Sequence, residues 1–270
     1  MQIGAPFRLI LDDNLLTHAD PIALPSNLLW LSLRRCQLEH FDMRCVISTK
    51  LRELDLGENR LVGFDGRGRC GSLRVLKMDS NYLSDQAVQA LVQHHPMPKL
   101  KSLDISRNRL QHPQTIPVLL SSLPALRTLT LAENEIQGEV LVDGVTPPGM
   151  RVLDLRGNQI RYLGIATIIA SLKTLDLSGN ATLECVDAAK HSLPRLHTAR
   201  FRGTALRELQ CLAQACPKVT EVDIGGCYLL MHLPKMKNVK KIFLDGCCHP
   251  QLYESLQSMP RLQSVWVDTH

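Results

Sequence analysis

Aromatic residues are scarce in this chain of 270 residues: they make up 4% of it, against 44% for all hydrophobic residues together. The core must therefore be filled by leucine and valine rather than by rings. No stretch is long and uncharged enough to predict a membrane-spanning helix, and the first residues lack the charged and then apolar pattern of a secretory signal. The apolar content itself is typical of a globular chain and excludes disorder.

Cysteine pairs and strong net charge are also lacking. The nine cysteines are odd in number and scattered, which does not fit a disulfide framework. Reduced thiols predict a cytoplasmic or nuclear location and argue against secretion. The formal net charge of +5 is mild, so it allows an acidic protein partner and argues against nucleic-acid binding.

Motifs for catalysis are absent too. The chain contains no G-x-S-x-G, no G-x-x-x-x-G-K and no H-E-x-x-H. Cys247-Cys248-His249 is similar to a metal-binding tract, but Cys247 also fits the repeat described below, and we expect His94 and His95 to be solvent-exposed at a helix end. We therefore predict that the chain is not an enzyme and has no metal site and no cofactor.

What is present is a repeat. LRELDLGENRL, from Leu51 to Leu61, has the spacing L-x-x-L-x-L-x-x-N-x-L. Leu54 and Leu56 alternate as in a short strand with one buried face, and Asn59 is expected to turn inward and bond neighbouring backbone groups. We call the place of this asparagine the ladder position. It recurs every 20 to 27 residues, at Asn14, Cys36, Asn59, Asn81, Asn108, Asn134, Asn158, Asn180, Thr204, Cys227 and Cys247.

These residues resemble the leucine-rich-repeat superfamily along essentially the whole chain. The resemblance implies an α/β solenoid shaped as a curved horseshoe, with about twelve coils and one parallel sheet on the concave side. Short helices, 3₁₀ turns and loops are expected on the convex side. We predict a single domain over residues 1–270 without a second domain. Its ends are expected to be uncapped, which suggests flanking domains outside this chain.

The links between strands carry helix patterns. A capping candidate at Ser84 opens an amphipathic stretch, and further candidates are 114–123, 165–172, 186–193, 206–216 and 251–258. The links 63–72 and 138–149 are rich in glycine or proline and are expected to be irregular.

The residues between the leucines are expected to form charged columns on the concave face. One column is basic and begins at Arg52, and the other is mostly acidic and begins at Asp55. Mutual neutralisation of these columns at a solvated surface is the simpler interpretation. The columns change in the last third, where aromatics and arginines of the type that anchor interfaces appear. Our hypothesis is a partner-binding site formed by Arg156, Arg200, Arg202, Phe243, Asp245 and Trp266.

A narrower resemblance suggests alternatives. The segments 73–111 and 150–186 are similar to the repeats of PH-domain leucine-rich-repeat protein phosphatases, although no phosphatase motifs follow them. The later cysteine-containing coils look like the repeats of F-box substrate receptors, without an F-box. The main prediction is a non-catalytic scaffold that binds a protein partner on its concave face in intracellular signalling. The alternatives are the targeting repeats of a PP2C-type phosphatase, or the substrate receptor of a ubiquitin ligase.

Overall fold

The computed structural model describes residues 7–16, 24–47, 50–68, 70–247 and 249–267. In these residues the strands are β1 (Phe7–Ile10), β2 (Leu28–Ser32), β3 (His40–Asp42), β4 (Glu53–Asp55), β5 (Gly63–Asp65), β6 (Val75–Lys77), β7 (Ser102–Asp104), β8 (Thr128–Thr130), β9 (Gln137–Val142), β10 (Val152–Asp154), β11 (Gln159–Ile165), β12 (Thr174–Asp176), β13 (Cys185–Ala188), β14 (Thr198–Arg200), β15 (Glu221–Asp223), β16 (Lys241–Phe243) and β17 (Ser264–Trp266). The helices are α1 (Arg44–Ile47), α2 (Asp85–His94), α3 (Thr115–Ser122), α4 (Gln210–Ala215) and α5 (Pro250–Leu256).

Twelve of these strands form one parallel sheet, in the order β1-β2-β4-β6-β7-β8-β10-β12-β14-β15-β16-β17. Equivalent positions of successive coils are in register, so that Leu54 pairs with Leu76 and Leu103 with Leu129. These central leucines are at most 1% exposed and share one continuous core along the solenoid. The predicted leucine-rich-repeat solenoid with a parallel sheet of about twelve coils is therefore confirmed.

The ladder asparagines join the coils through their side chains. The Oδ1 atom of Asn59 accepts hydrogen bonds from the amides of Cys36 and Leu38 in the preceding coil, at 2.9 and 3.1 Å. Its Nδ2 atom donates to the carbonyl of Leu33 in that coil and to two carbonyls of its own turn. Backbone groups that the turn would leave unpaired inside the core are thereby satisfied.

The later coils keep only half of this arrangement. The thiol of Cys227 donates to the carbonyl of Phe201 at 3.0 Å, and that of Cys247 to Ile224 at 3.0 Å. A thiol is a poor acceptor, and the amides of Asn180, Cys227 and Cys247 instead donate to carbonyls three residues earlier in their own turns.

One inward residue shifts with this tighter turn. In the coil of Cys227 the spacing N-x-L places Leu229 inward, but Leu229 is 45% exposed, whereas Leu230 is 1% exposed. Leu183 occupies the same place after Asn180 and is fully buried.

The residue before each ladder position has a left-handed backbone. Its φ lies between 53° and 72° in all eleven coils from Asp13 to Gly246. Six non-glycine residues occupy it first, up to Glu133, and glycines occupy it from Gly157 onward. Because only glycine adopts this conformation without a steric penalty, the turn geometry itself is enforced by the stacking of the coils.

The convex side differs in part from our expectation. Helix α2 begins after Ser84, whose side chain accepts a hydrogen bond from the amide of Ala87. Helices α3 and α4 lie within the predicted stretches, and α5 begins one residue before its predicted start. The stretches 165–172 and 186–193, however, are not helices, and the links 63–72 and 138–149 are not wholly irregular. Strands β9, β11 and β13 form a second parallel sheet there, and β3 pairs with β5. Turn residues in these links hid the alternation of Val140 and Val142, which are both buried.

Candidate protein-interaction surface

The concave face is built by two residues of each short strand. In β4 these are Glu53 and Asp55, which flank the buried Leu54 and therefore point to the same side of the sheet. The predicted basic column does not belong to this face. Arg52 and its equivalents directly precede the strands and are three positions away from Asp55 and its equivalents, so they do not share the strand face of Asp55. The two columns described from the sequence omit Glu53, the residue that follows Arg52 and does share that face.

Ion pairs neutralise the N-terminal part of the concave face. The guanidinium of Arg34 lies 2.9 Å from a carboxylate oxygen of both Asp55 and Asp79 and 2.7 Å from one of Glu58. These carboxylates, Asp79 first, raise the pKa of Arg34. The ammonium of Lys77 adds a contact of 3.3 Å to Asp55. Asp55 of the acidic column is thus neutralised, but by Arg34 and Lys77, neither of which belongs to the basic column that begins at Arg52.

The middle of the face carries carboxylates in the strands and fewer cations. Asp154 lies beside Asp176 in the sheet register, and burial, followed by the charges of Asp176 and Asp104, raises the pKa of Asp154. The guanidinium of Arg156 opposes that rise at 3.6 Å from Asp154. Arg156 therefore forms an ion pair with an acidic residue of its own coil.

Arg200 and Arg202 are both paired with carboxylates. Arg200 lies 3.7 Å from Asp176 and 3.5 Å from Glu221. Arg202 lies 3.6 Å from Asp223 and also contacts Asp245. Arg200 therefore bridges carboxylates of the two adjacent coils, whereas Arg202 contacts one carboxylate in the next coil and one in the coil after it. The surface thus alternates in charge. Arg156 pairs with Asp154 of its own coil and shares no carboxylate with Arg200 or Arg202, so we do not count it with them.

Two aromatic rings continue the cluster towards the C-terminal edge of the sheet. Phe243 and Trp266 occupy register-paired positions of β16 and β17, with ring centroids 6.2 Å apart and planes 13° from parallel. Trp266 remains 57% exposed, as do parts of Val265 and Val267. The structure thus brings together Arg200, Arg202, Phe243, Asp245 and Trp266, which we call the C-terminal concave cluster. Asp268, two residues after Trp266 in the sequence, lies outside the described residues.

A further aromatic on the concave face was missed. Trp30 in β2 occupies the overlooked strand position, and the guanidinium of Arg8 lies 5.6 Å from its ring centroid. Alignment of the column that contains Glu53 would have found it, because the position directly before the central leucine has the same parity as the one after it.

Ser106 and His95 belong to the folded framework: the first closes a turn and the second is buried. The hydroxyl of Ser106 donates to Asp104 at 2.6 Å within one turn, which closes that turn. His95 is 1% exposed, so the expectation of solvent exposure was wrong for it, and burial lowers its pKa. Cys247 is a buried member of the ladder, and Cys248 lies outside the described residues. No helix in the described ranges is long and apolar enough to cross a bilayer.

Comparison with known proteins supports the repeat assignment. The family model for Leucine Rich Repeat matches residues 99–123. Tubulin-specific chaperone E from Mus musculus is 30% identical over 117 residues, which are 43% of this chain and 22% of the relative. U2 small nuclear ribonucleoprotein A' from Mycosarcoma maydis is 34% identical over 98 residues, 34% of this chain and 40% of the relative. The chain thus spans well under half of either relative.

Solved structures show the same fold at low sequence identity. The structure titled as the TLR13-ssRNA13 complex aligns with a TM-score of 0.63 and 18% identity, over 90% of this chain and 40% of that one. A chain of the octameric complex of Latrophilin 3, Unc5D and FLRT2, which includes a leucine-rich-repeat component, aligns with a TM-score of 0.62 and 17% identity, over 90% of this chain and 76% of that chain. Proteins of this kind often act as protein-interaction modules and are generally non-catalytic. The ladder, the stacked parallel strands and these matches together make the chain a leucine-rich-repeat protein.

Proposed function

We propose that this chain is a non-catalytic scaffold that binds a protein partner through the C-terminal concave cluster, in intracellular signalling or assembly. One observation carries the proposal: the half-exposed indole of Trp266 is stacked on Phe243 beside arginines already held in place by carboxylates. Rigid aromatics and arginines contribute most to interfaces, because they lose little conformational freedom on binding.

The charge pattern supports a protein partner rather than nucleic acid. Each arginine of the cluster is already paired, so little positive potential remains to attract a phosphate backbone. A partner whose own charges alternate would match this surface. A cytoplasmic or nuclear location is part of the proposal, and the seven cysteines that the described residues contain as free thiols support it. We further propose that residues 1–270 act as one domain.

The experiment compares capture of cellular proteins by the intact chain and by matched variants. Trp266→Ala and the double variant Arg200→Glu plus Arg202→Glu remove the aromatic anchor and reverse the charges of the cluster. Arg161→Glu plus Arg195→Glu makes the same change in net charge elsewhere, at two exposed residues. A purified partner identified in this way is then titrated against each variant.

We expect each cluster variant to weaken binding by about 30-fold, which corresponds to roughly 2 kcal/mol for an interface anchor. The control variant is expected to bind within about twofold of the wild type. Equal affinity of every variant for every captured partner would refute the proposed site. The phosphatase and ubiquitin-ligase alternatives remain predictions; co-purification of ligase adaptors, or a phosphatase domain encoded next to these repeats, would favour one of them.

A further inference from the structure

A second surface with binding chemistry lies on the convex side, over the sheet formed by β9, β11 and β13. Gly164 in the central strand pairs with Leu141 on one side and with Asp187 on the other. Neighbouring strands are about 4.8 Å apart, so the backbones of Leu141 and Asp187 are separated by roughly 10 Å. Gly164 contributes no side chain, and the side chains of Leu141 and Tyr162 occupy the space directly above it.

A cavity of about 350 Å³ lies next to these side chains. Leu141 and Tyr162 lean across Gly164 and form one apolar wall; a Cβ atom at Gly164 would lie 2.9 Å from each of their side chains. Ala166 and Ala189 also line the cavity, and their short side chains leave space open. The volume of this cavity is sufficient for one long side chain of a partner.

The rim of this cavity is acidic. Asp143 and Asp187 line it, and Glu139 precedes Leu141 on the same face of β9. The phenol of Tyr162 contacts Asp187 at 3.4 Å. Among the ion pairs of the described ranges none includes Asp143, Asp187 or Glu139. Three carboxylates that form no ion pair with another described residue attract a cation.

We propose that this convex cavity receives an arginine side chain of a protein partner. The aliphatic stem would pack against Leu141, Tyr162 and Ala166. The planar guanidinium would pair with Asp187 and Asp143 and lie against the Tyr162 ring, a combination that suits arginine better than lysine. The site lies on the side opposite to the C-terminal concave cluster and is independent of it.

The test uses the full chain, labelled with ¹⁵N, and the probe Nα-acetyl-arginine methylamide. Saturable shifts are expected at the amides of Gly164, Ala166 and Asp187. The citrulline analogue has nearly the same shape without the charge, and it should bind about tenfold more weakly, the effect of losing one charge-assisted contact of roughly 1.4 kcal/mol.

Variants separate the site from nonspecific attraction. Asp187→Asn is expected to weaken the probe about tenfold and Ala166→Leu to abolish its binding by filling the cavity. Glu184→Gln and Ala170→Leu change exposed residues that do not line the cavity and should leave binding unchanged. Shifts that do not saturate, equal binding of the citrulline analogue, or equal binding by Asp187→Asn would each overturn the proposal. Trp266→Ala tests the concave cluster and should not affect this probe.

Discussion

Replacement of Asn59 by alanine tests whether the ladder asparagines hold the coils together. The side chain of Asn59 is 7% exposed and makes five hydrogen bonds to backbone groups. Alanine would leave the amides of Cys36 and Leu38 without the acceptor that they have in the native structure. An unsatisfied buried polar group costs about 1–3 kcal/mol, so two of them predict a loss of about 4 kcal/mol in the free energy of unfolding.

Two matched variants set the scale. Asn14 has the same ladder position but is exposed, and its amide donates to Leu11 and Asp12 within its own turn, so Asn14→Ala should cost no more than about 1 kcal/mol. Cys227→Ala removes a thiol donor, while the Cys227 amide keeps its bond to Ile224, so it should also cost about 1 kcal/mol.

Urea unfolding followed by circular dichroism measures the free energies, and hydrogen exchange measures the protection of the Leu38 amide. We expect Asn59→Ala to lower stability far more than Asn14→Ala and to increase exchange at Leu38 specifically. If Asn59→Ala is within about 0.5 kcal/mol of Asn14→Ala, or if the Leu38 amide stays protected, the buried amides do not depend on Asn59 and the reasoning is refuted.

Three further outcomes are expected. Gly203→Ala should lower the free energy of unfolding, measured by thermal unfolding, by about 1 kcal/mol, because φ at Gly203 is 68° although nothing crowds a Cβ there. Gly71→Ala is the control: the space is equally open and φ is not left-handed, so this change should be nearly neutral. Burial raises the pKa of Cys211 and of Cys216 to about 12, so these thiols should react slowly with iodoacetamide at pH 8 until the chain unfolds. The stability that they contribute is present below the thiol pKa of the unfolded chain and should fall as the pH rises above about 8.5 towards 12. Equal reactivity of the folded and unfolded chains would contradict this. Arg34→Leu should destabilise the chain by about 2 kcal/mol, since three carboxylates lose their shared cation, and 1 M salt should reduce that loss; a loss independent of salt would assign the effect to packing.

Local sequence predicted the helices where capping and periodicity agree. Ser84 with its amphipathic successor is the best example, and α2 begins directly after it. The convex strands escaped prediction because a strand such as β9 is stabilised by pairing with β11 in the next coil and not by its own residues. Gly138, which has a left-handed φ of 81°, looked like a loop residue but lies inside β9.

The candidate sites also combine features that the sequence predicted with features that only the structure showed. The residue types of the C-terminal concave cluster were visible in the columns, but their charges could not be assigned to partners without the distances between adjacent coils. The convex cavity over Gly164 depends on a register between three strands that come from three separate links. No spacing within one link contains that information.

The sequence by itself determined the repeat, the inward leucines and the ladder, because each is a local pattern that a short strand and a tight turn impose on consecutive residues. Only the tertiary structure decided which charges neutralise one another, which leucine after Cys227 is buried in the core, and where a cavity lies on the convex surface. These features depend on neighbours 20 or more residues away, brought within about 5 Å by the stacking of the coils.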